Sequence, residues 1–458
     1  MARNGRSFGG IIFLIIFVII GIGCVYLFKS PMFERNAPEV KLDNKIYWNL
    51  KNPLPIEVSD DSGIKFIRVS LSDGTNSVTI ANETFEIPQK NAKLDIVFPK
   101  TGFFGSKNEY TLVVEAVDKS YWKLTGNSTI KKATVSVDTK RPEIYVINQS
   151  YSIAKGGAAT VVFRANDEQL KRVYIQTNYG KEFIATPFYK EGYYAALVAW
   201  PVSEQNFSAD VVAEDYAGNI SKARIRYFLK NRTYKESSIE LKDNFLDGKI
   251  EDLANIYAKD PSSLSKLEKF KFVNETLRIG NEDKIREITS KVPDGMLENF
   301  DIAPFFPLNN GMAVASFGDH RFYYYGDKKN TISESWHMGI DFASVAQAQI
   351  TSNNPSQVVF ANENGIYGLN LILYHGFGLY SLYGHCSSIN VSPGDVFIKK
   401  QNIANTGTTG LALGDHLHFG MIVQGIEVRP EEWMDQKWMK ENVYDILNSA
   451  KKAMVDKK

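Results

Sequence analysis

The stretch "SFGGIIFLIIFVIIGIGCVYLF" constrains the chain more than any other, because it carries no charge from residue 7 to residue 28. Backbone in hydrocarbon must satisfy its own N–H and C=O groups, so a run of this length and polarity reads as a membrane-spanning helix. Arg3, Arg6 and the amino terminus precede it, while Lys29 and Arg35 follow. That charge pattern favours a cytoplasmic segment 1–7, an anchor 8–28, and the rest of the chain on the outer face. A cleaved signal peptide is the competing reading, but the run exceeds a usual h-region and lacks a small-x-small exit. A lipoprotein site at Cys24 fits poorly, since Gly21 stands where an aliphatic residue belongs and the apolar run continues past the cysteine.

Beyond the anchor the texture changes twice. From 38 to 228, short β-branched and aromatic runs such as "YTLVVEAVD" and "ATVVFRAND" are broken by Gly, Asn, Asp and Pro, the pattern of antiparallel strands. An internal echo runs through this region. "APEVKL" returns as "RPEIYV", "VSDDSGIKFIRVSL" as "ANDEQLKRVYIQT", and "VVEAVDKS" as "VVAEDYAGN". A repeat of roughly 100 residues is the size of one β-sandwich, which predicts two in tandem, 36–139 and 140–230. They resemble the immunoglobulin-like modules of bacterial surface proteins, and a spacer or packing role is the reading for them. From 233 to 292 the period becomes helical. Leu241, Phe245, Leu246, Ile250, Leu253 and Ile256 share one face, a second helix starts at Pro261 and Ser262 and stops at Gly280, and "EDKIREITSK" gives a third. This connector is read as core packing, with a lid or docking arm as the functional alternative. The fold class is thus mainly β, closing with an antiparallel β domain at 300–436 and a short helical tail at 437–458 that ends in lysines.

Charge and cysteines exclude much. A formal net charge of +1 offers no basic footprint, so no nucleic-acid partner is expected. Two cysteines, Cys24 and Cys386, make no disulfide framework.

The chemistry concentrates in the last β domain. The chain has six histidines; "SWHMGIDFAS" carries His337 and Asp341, "LYGHCSS" carries His385, and "DHLHFG" carries His416 and His418. Strand alternation puts His416 and His418 on one face. Catalytic zinc takes three protein ligands and keeps a fourth position open. Three ligands plus two spare histidines would serve a metal hydrolase.

Residues of about 304–434 resemble the lysostaphin/LytM-type zinc metallopeptidases that cut peptidoglycan peptides. The likeness runs through "ASFGDHR", "HMGIDFAS", "VVFANENGIYG", "NLILYHGFGLYSLYGHCSSINVSPGDVFIKKQNIANTGTTG" and "DHLHFGMIVQGIEVRPEEW". It implies that His337, Asp341 and His418 are ligands of one zinc ion and that His385 and His416 are the two catalytic histidines. It also implies a membrane-anchored, extracytoplasmic zinc endopeptidase in a bacterial cytoplasmic membrane. Its partners would be peptidoglycan peptides, the bilayer through the N-terminal helix, and envelope proteins through the sandwiches. The rival readings are a non-catalytic module that recruits or activates other wall hydrolases, and a structural surface protein. His375 and His320 read as structural, and Cys386 as a buried filler. Two departures stand out: a long insert, "DHRFYYYGDKKNTISES", whose tyrosines line or cover a groove, and Asp415 where the family often has proline, there to bond an imidazole or to turn the chain.

Overall fold

The computed structural model describes residues 8–99, 107–398 and 400–456; segment 1–7, with Arg3 and Arg6, lies outside them. One helix among these, Phe8–Lys29, is long and apolar enough to cross a membrane, and none of its apolar window is buried. The chain divides into two compact bodies, one of Met1–Arg141 with Gln169–Lys171 and Glu214–Ile220, the other of Pro142–Glu168, Arg172–Ala213 and Ser221–Lys458.

The first body is built on a single six-stranded sheet, where two sheets were expected. The order is Glu39–Lys41, Leu54–Ser72, Glu109–Asp118, Ser128–Val137 and Lys45–Trp48, and Ser77–Ile96 also pairs with Leu54–Ser72. Strands this long allow one sheet to close over its own core. Ile56, Val58, Ile67, Val69 and Leu71 point inward from one strand and meet Leu112, Val114 and Val135. The second repeat, in contrast, has two four-stranded sheets.

The connector departs from the sequence reading in four ways. It opens with a strand, Glu236–Glu240, which lies parallel to Asp319–Tyr324. The second and third helices are one continuous run, Lys266–Lys271 through Arg278–Thr289, with Gly280 inside it rather than ending it. That run starts at a Ser265 capping box, and Pro261–Ser263 is a separate turn. Ile256 is 69% exposed, so the predicted stripe ends at Leu253. Tertiary burial explains the glycine: Phe270, Val273 and Ile285 anchor the helix on both sides of it, and one Gly costs only about 1 kcal/mol.

These helices share one core with the last domain. Leu246, Ile250, Phe270 and Val273 pack with Tyr323, Tyr367, Tyr380 and Ile422. Asn274 Nδ2 donates to Ser333 Oγ (2.9 Å) and to the Glu334 carbonyl (3.1 Å), and Asn281 Oδ1 accepts from Ile366 N (2.9 Å). The insert is therefore a hairpin, Asp319–Tyr324 with Thr331–His337, clamped between connector and domain. The tail is packed too: Met439, Val443, Ala450 and Met454 are buried, and Asn148 Nδ2 donates to the Ile446 carbonyl (3.1 Å).

The last domain centres on an eight-stranded sheet in which Met312–Ala315, Ile340–Ala343, Leu417–Val423, Leu379–Cys386, Leu369–Gly376 and Ser356–Glu363 neighbour one another. All these pairs are antiparallel.

Candidate metal centre

Register brings the site together. Asp341 is the cross-strand partner of His418, and His418 is in turn the partner of Gly384, so three neighbouring strands deliver Asp341, His418 and His385 at one level. His337 ends the insert hairpin, and two residues separate it from the strand that carries Asp341. The turn between them needs a residue without a side chain. A Cβ at Gly339 would stand 2.6 Å from His418 Cε1 and 2.7 Å from the Phe419 carbonyl oxygen.

His337 Nε2, His418 Nδ1 and Asp341 Oδ1 form a triangle with sides of 3.0, 2.9 and 3.1 Å. Tetrahedral zinc with bonds near 2.0–2.2 Å would separate such donors by roughly 3.3–3.6 Å, so the triangle is somewhat tighter than one face of its coordination sphere. The other ring nitrogen of His337 decides the fit. Its Nδ1 lies 2.9 Å from the Ser316 carbonyl and must carry the proton. Neutral His337 then turns a lone pair at Nε2 toward a carboxylate oxygen, and only a second proton or a metal cation reconciles the two. The donor set fits zinc. Burial pushes the Asp341 carboxyl up, but His337 and His418 more than offset this and hold it well below the usual range.

The two remaining histidines stand beside this triangle. His385 Nδ1 donates to the Thr409 carbonyl (2.8 Å) and His416 Nδ1 to the Gly414 carbonyl (2.7 Å), which leaves both Nε2 atoms as lone-pair acceptors. Their rings are 4.7 Å apart, and His416 Nε2 is 3.8 Å from Asp341 Oδ1. Burial, then His416 and His418, pulls the His385 pKa down to about 3, so it is neutral at physiological pH. Its backbone is left-handed (φ +62°), at a bulge where Leu369–Leu371 face Tyr383–Cys386. Such a conformation costs about 1–2 kcal/mol in a non-glycine residue and re-aims the side chain.

The five residues expected from sequence thus converge, and the others sort themselves. His375 is buried among Pro355, Ser356 and Ser381. His320 stacks on Trp336 at 4.1 Å. Burial raises the Cys386 thiol to about 12, and Sγ points at the Tyr383 carbonyl. Asp415 does not touch an imidazole; it accepts from Thr406 Oγ1 (2.5 Å) and Gln347 N (3.1 Å) and so ties two loops together. Sequence reading missed the connector's share of the site. A groove of about 1310 Å³ runs from the histidines along Ser237, Leu241 and Lys249 of the connector and Arg321 and Tyr323 of the insert. The parallel pairing that builds this wall is non-local and leaves no signature in either segment alone.

Residues 335–430 match the sequence profile of Peptidase family M23. They form an M23 domain. A DD-carboxypeptidase/endopeptidase of Neisseria meningitidis serogroup B is 29% identical over 108 residues, 23% of this chain and 25% of that protein. A peptidoglycan DD-endopeptidase of Vibrio cholerae is 32% identical over 89 residues, 19% of this chain and 21% of the relative. The chain therefore spans about a quarter of the length of the curated relatives it matches. The lysostaphin catalytic domain from Staphylococcus simulans aligns over 27% of this chain and 92% of its own, at 24% identity and a TM-score of 0.23.

Proposed function

We propose that the chain is a membrane-anchored, extracytoplasmic zinc endopeptidase that cuts peptide bonds of bacterial peptidoglycan. The observation that carries this reading is the convergence of three metal-type donors with two histidines whose Nε2 atoms are free. In this reading the helix Phe8–Lys29 is a single-pass anchor in the cytoplasmic membrane. The two β units are immunoglobulin-like spacers, and envelope proteins dock on them. The M23 relatives named for peptidoglycan endopeptidase activity support the substrate class.

His337, Asp341 and His418 would hold the zinc, which when bound polarises a peptide carbonyl and acidifies water. The remaining work belongs to the chain. Carbonyls of Thr409 and Gly414 lock the tautomers of His385 and His416, so each Nε2 can take a proton from water and return it to the leaving amine. The imidazole that has gained a proton then donates a hydrogen bond to the developing oxyanion. The groove lined by Ser237, Arg321 and Tyr323 orients an extended peptide against these groups.

The test is release of muropeptide fragments from purified sacculi by the detergent-solubilised chain. Zinc-dependent cleavage that a chelator stops and added zinc restores is the expected result. A zinc-loaded chain that binds sacculi and releases nothing would replace the enzyme with a recruiting module.

A further inference from the structure

We propose that Glu34, Asp60 and Asp118 bind a calcium ion where the chain leaves the apolar helix and enters the first β unit. Glu34 follows the turn Pro31–Phe33 directly, and its carbonyl is held by Ser120 Oγ (2.6 Å) and Asn127 Nδ2 (3.0 Å). Its carboxylate meets Asp60, from strand Leu54–Ser72, and Asp118, from the end of strand Glu109–Asp118. One oxygen from each lies within 4.8 Å of the other two. Asp60 is 9% exposed and Asp118 is fully buried. Among the described residues, no lysine or arginine pairs with any of the three.

Two acceptor oxygens in this cluster have no donor. Glu34 Oε2 is buried without a partner, and so is Asn127 Oδ1. Asn127 has no exposed surface, and its amide is wedged between Asp118 Oδ2 (2.7 Å) and the Glu34 carbonyl. A buried oxygen with no donor costs about 1–3 kcal/mol, and three converging carboxylates add repulsion to that. A cation relieves both.

The sequence carries this set twice. Glu34 stands four residues before Pro38 and Asp138 four before Pro142. Asp167 and Asp215 occupy the places of Asp60 and Asp118 in the repeat, and Gly126-Asn127 returns as Gly218-Asn219. Asn219 Nδ2 donates to the Asp138 carbonyl (2.9 Å) and to Asp215 Oδ2 (2.8 Å), as Asn127 does to Glu34 and Asp118. One oxygen of Glu34, Asp60, Asp118, Asp138 and Asp215 accepts backbone N–H bonds from its own loop, which accounts for part of the repeat; the orphaned Glu34 Oε2 lies outside that account. An all-oxygen, carboxylate-rich set selects a hard cation over zinc. Calcium takes about six to eight oxygens in flexible geometry and so accommodates such a set more readily than magnesium, which demands a near-ideal octahedron. Bound calcium would pin the segment after the helix to the β unit and stiffen the stem.

Terbium luminescence tests this on the zinc-loaded full chain in detergent. Trp122 is a built-in sensitiser, since its ring carries the guanidinium of Arg35, the neighbour of Glu34, at 4.1 Å. Excitation of tryptophan should give terbium emission that calcium displaces at about 0.1–1 mM and magnesium displaces poorly. Glu34→Gln and Asp60→Asn should each weaken terbium about tenfold without lowering the melting temperature of the calcium-free chain. Trp122→Phe should dim the signal and leave calcium affinity unchanged. Emission that ignores both carboxylate substitutions, or that millimolar calcium does not displace, overturns the proposal. Displacement by magnesium at equal concentration overturns the choice of ion.

Discussion

His337 and His375 are both buried in the M23 domain, and both donate Nδ1–H to a carbonyl, of Ser316 and Pro355 respectively, at 2.9 Å. They differ at the other nitrogen. His375 Nε2 meets Ser381 Oγ at 2.7 Å, a neutral hydroxyl that can accept from it or donate to it and that also reaches Tyr383 Oη (3.1 Å). His337 Nε2 meets Asp341 Oδ1 and His418 Nδ1, and the carboxylate has no proton to offer it. One site closes its hydrogen bonds within the protein and the other leaves a position that a cation completes. Burial and residue type do not separate a structural histidine from a candidate ligand; the partners of its second nitrogen do.

Asp341→Asn breaks this contrast most severely. The amide supplies N–H donors to His337 Nε2 and His418 Nδ1, which makes the metal-free site resemble that of His375. Zinc affinity should fall by about 100-fold or more, and hydrolysis of sacculi should vanish with it. A thousandfold excess of zinc over Kd should stabilise the unsubstituted chain by about 4 kcal/mol, and the variant hardly at all. Melting with and without zinc reads both effects, and the metal-free variant should melt no lower than the metal-free parent. If Asp341→Asn keeps the zinc-induced shift, the carboxylate is not a ligand.

His385→Ala and His416→Ala sharpen the contrast on the catalytic side. Each should retain one zinc per chain while kcat drops about 10²- to 10⁴-fold, the range for a lost general acid or base. Zinc content by elemental analysis beside turnover of a cross-linked peptide separates this from ligand loss. An unchanged kcat in either variant removes that histidine from the chemistry.

How much of this was legible in the sequence follows from the range of the interactions. His416 and His418 are two apart on a strand, and His337 and Asp341 flank one turn, so local spacing exposed them. The β texture also read correctly, since the β-branched and aromatic run 64–71 lies in the strand Leu54–Ser72, although the strand's full length did not show. Gly280 misled because helix propensity is weak against the burial of Phe270 and Ile285 on either side of it. The groove wall stayed hidden because it depends on Glu236–Glu240 pairing with residues more than eighty positions away. Asp415 was legible as polar and near the histidines, but only coordinates could show that Thr406 and Gln347 claim it.

The smallest expected effect belongs to His375. Burial lowers its pKa to about 4 against an ordinary value of 6.5. Between those limits the unfolded chain binds the extra proton and the folded chain does not, so stability rises with pH across that window. His375 therefore contributes fully above about pH 6.5, and its contribution is lost as pH falls toward 4. At 1.36 kcal/mol per unit the loss amounts to about 3 kcal/mol at most. Burial also lowers His385 and His418, so a single curve would mix several imidazoles. The difference between the parent and His375→Gln, measured by urea unfolding with zinc chelated, isolates one imidazole. The variant should be less stable than the parent at pH 7 and lose less on acidification to pH 5. Parallel curves would mean that His375 takes up its proton in the folded state, and the closed hydrogen-bond circuit that sets it apart from His337 would not hold.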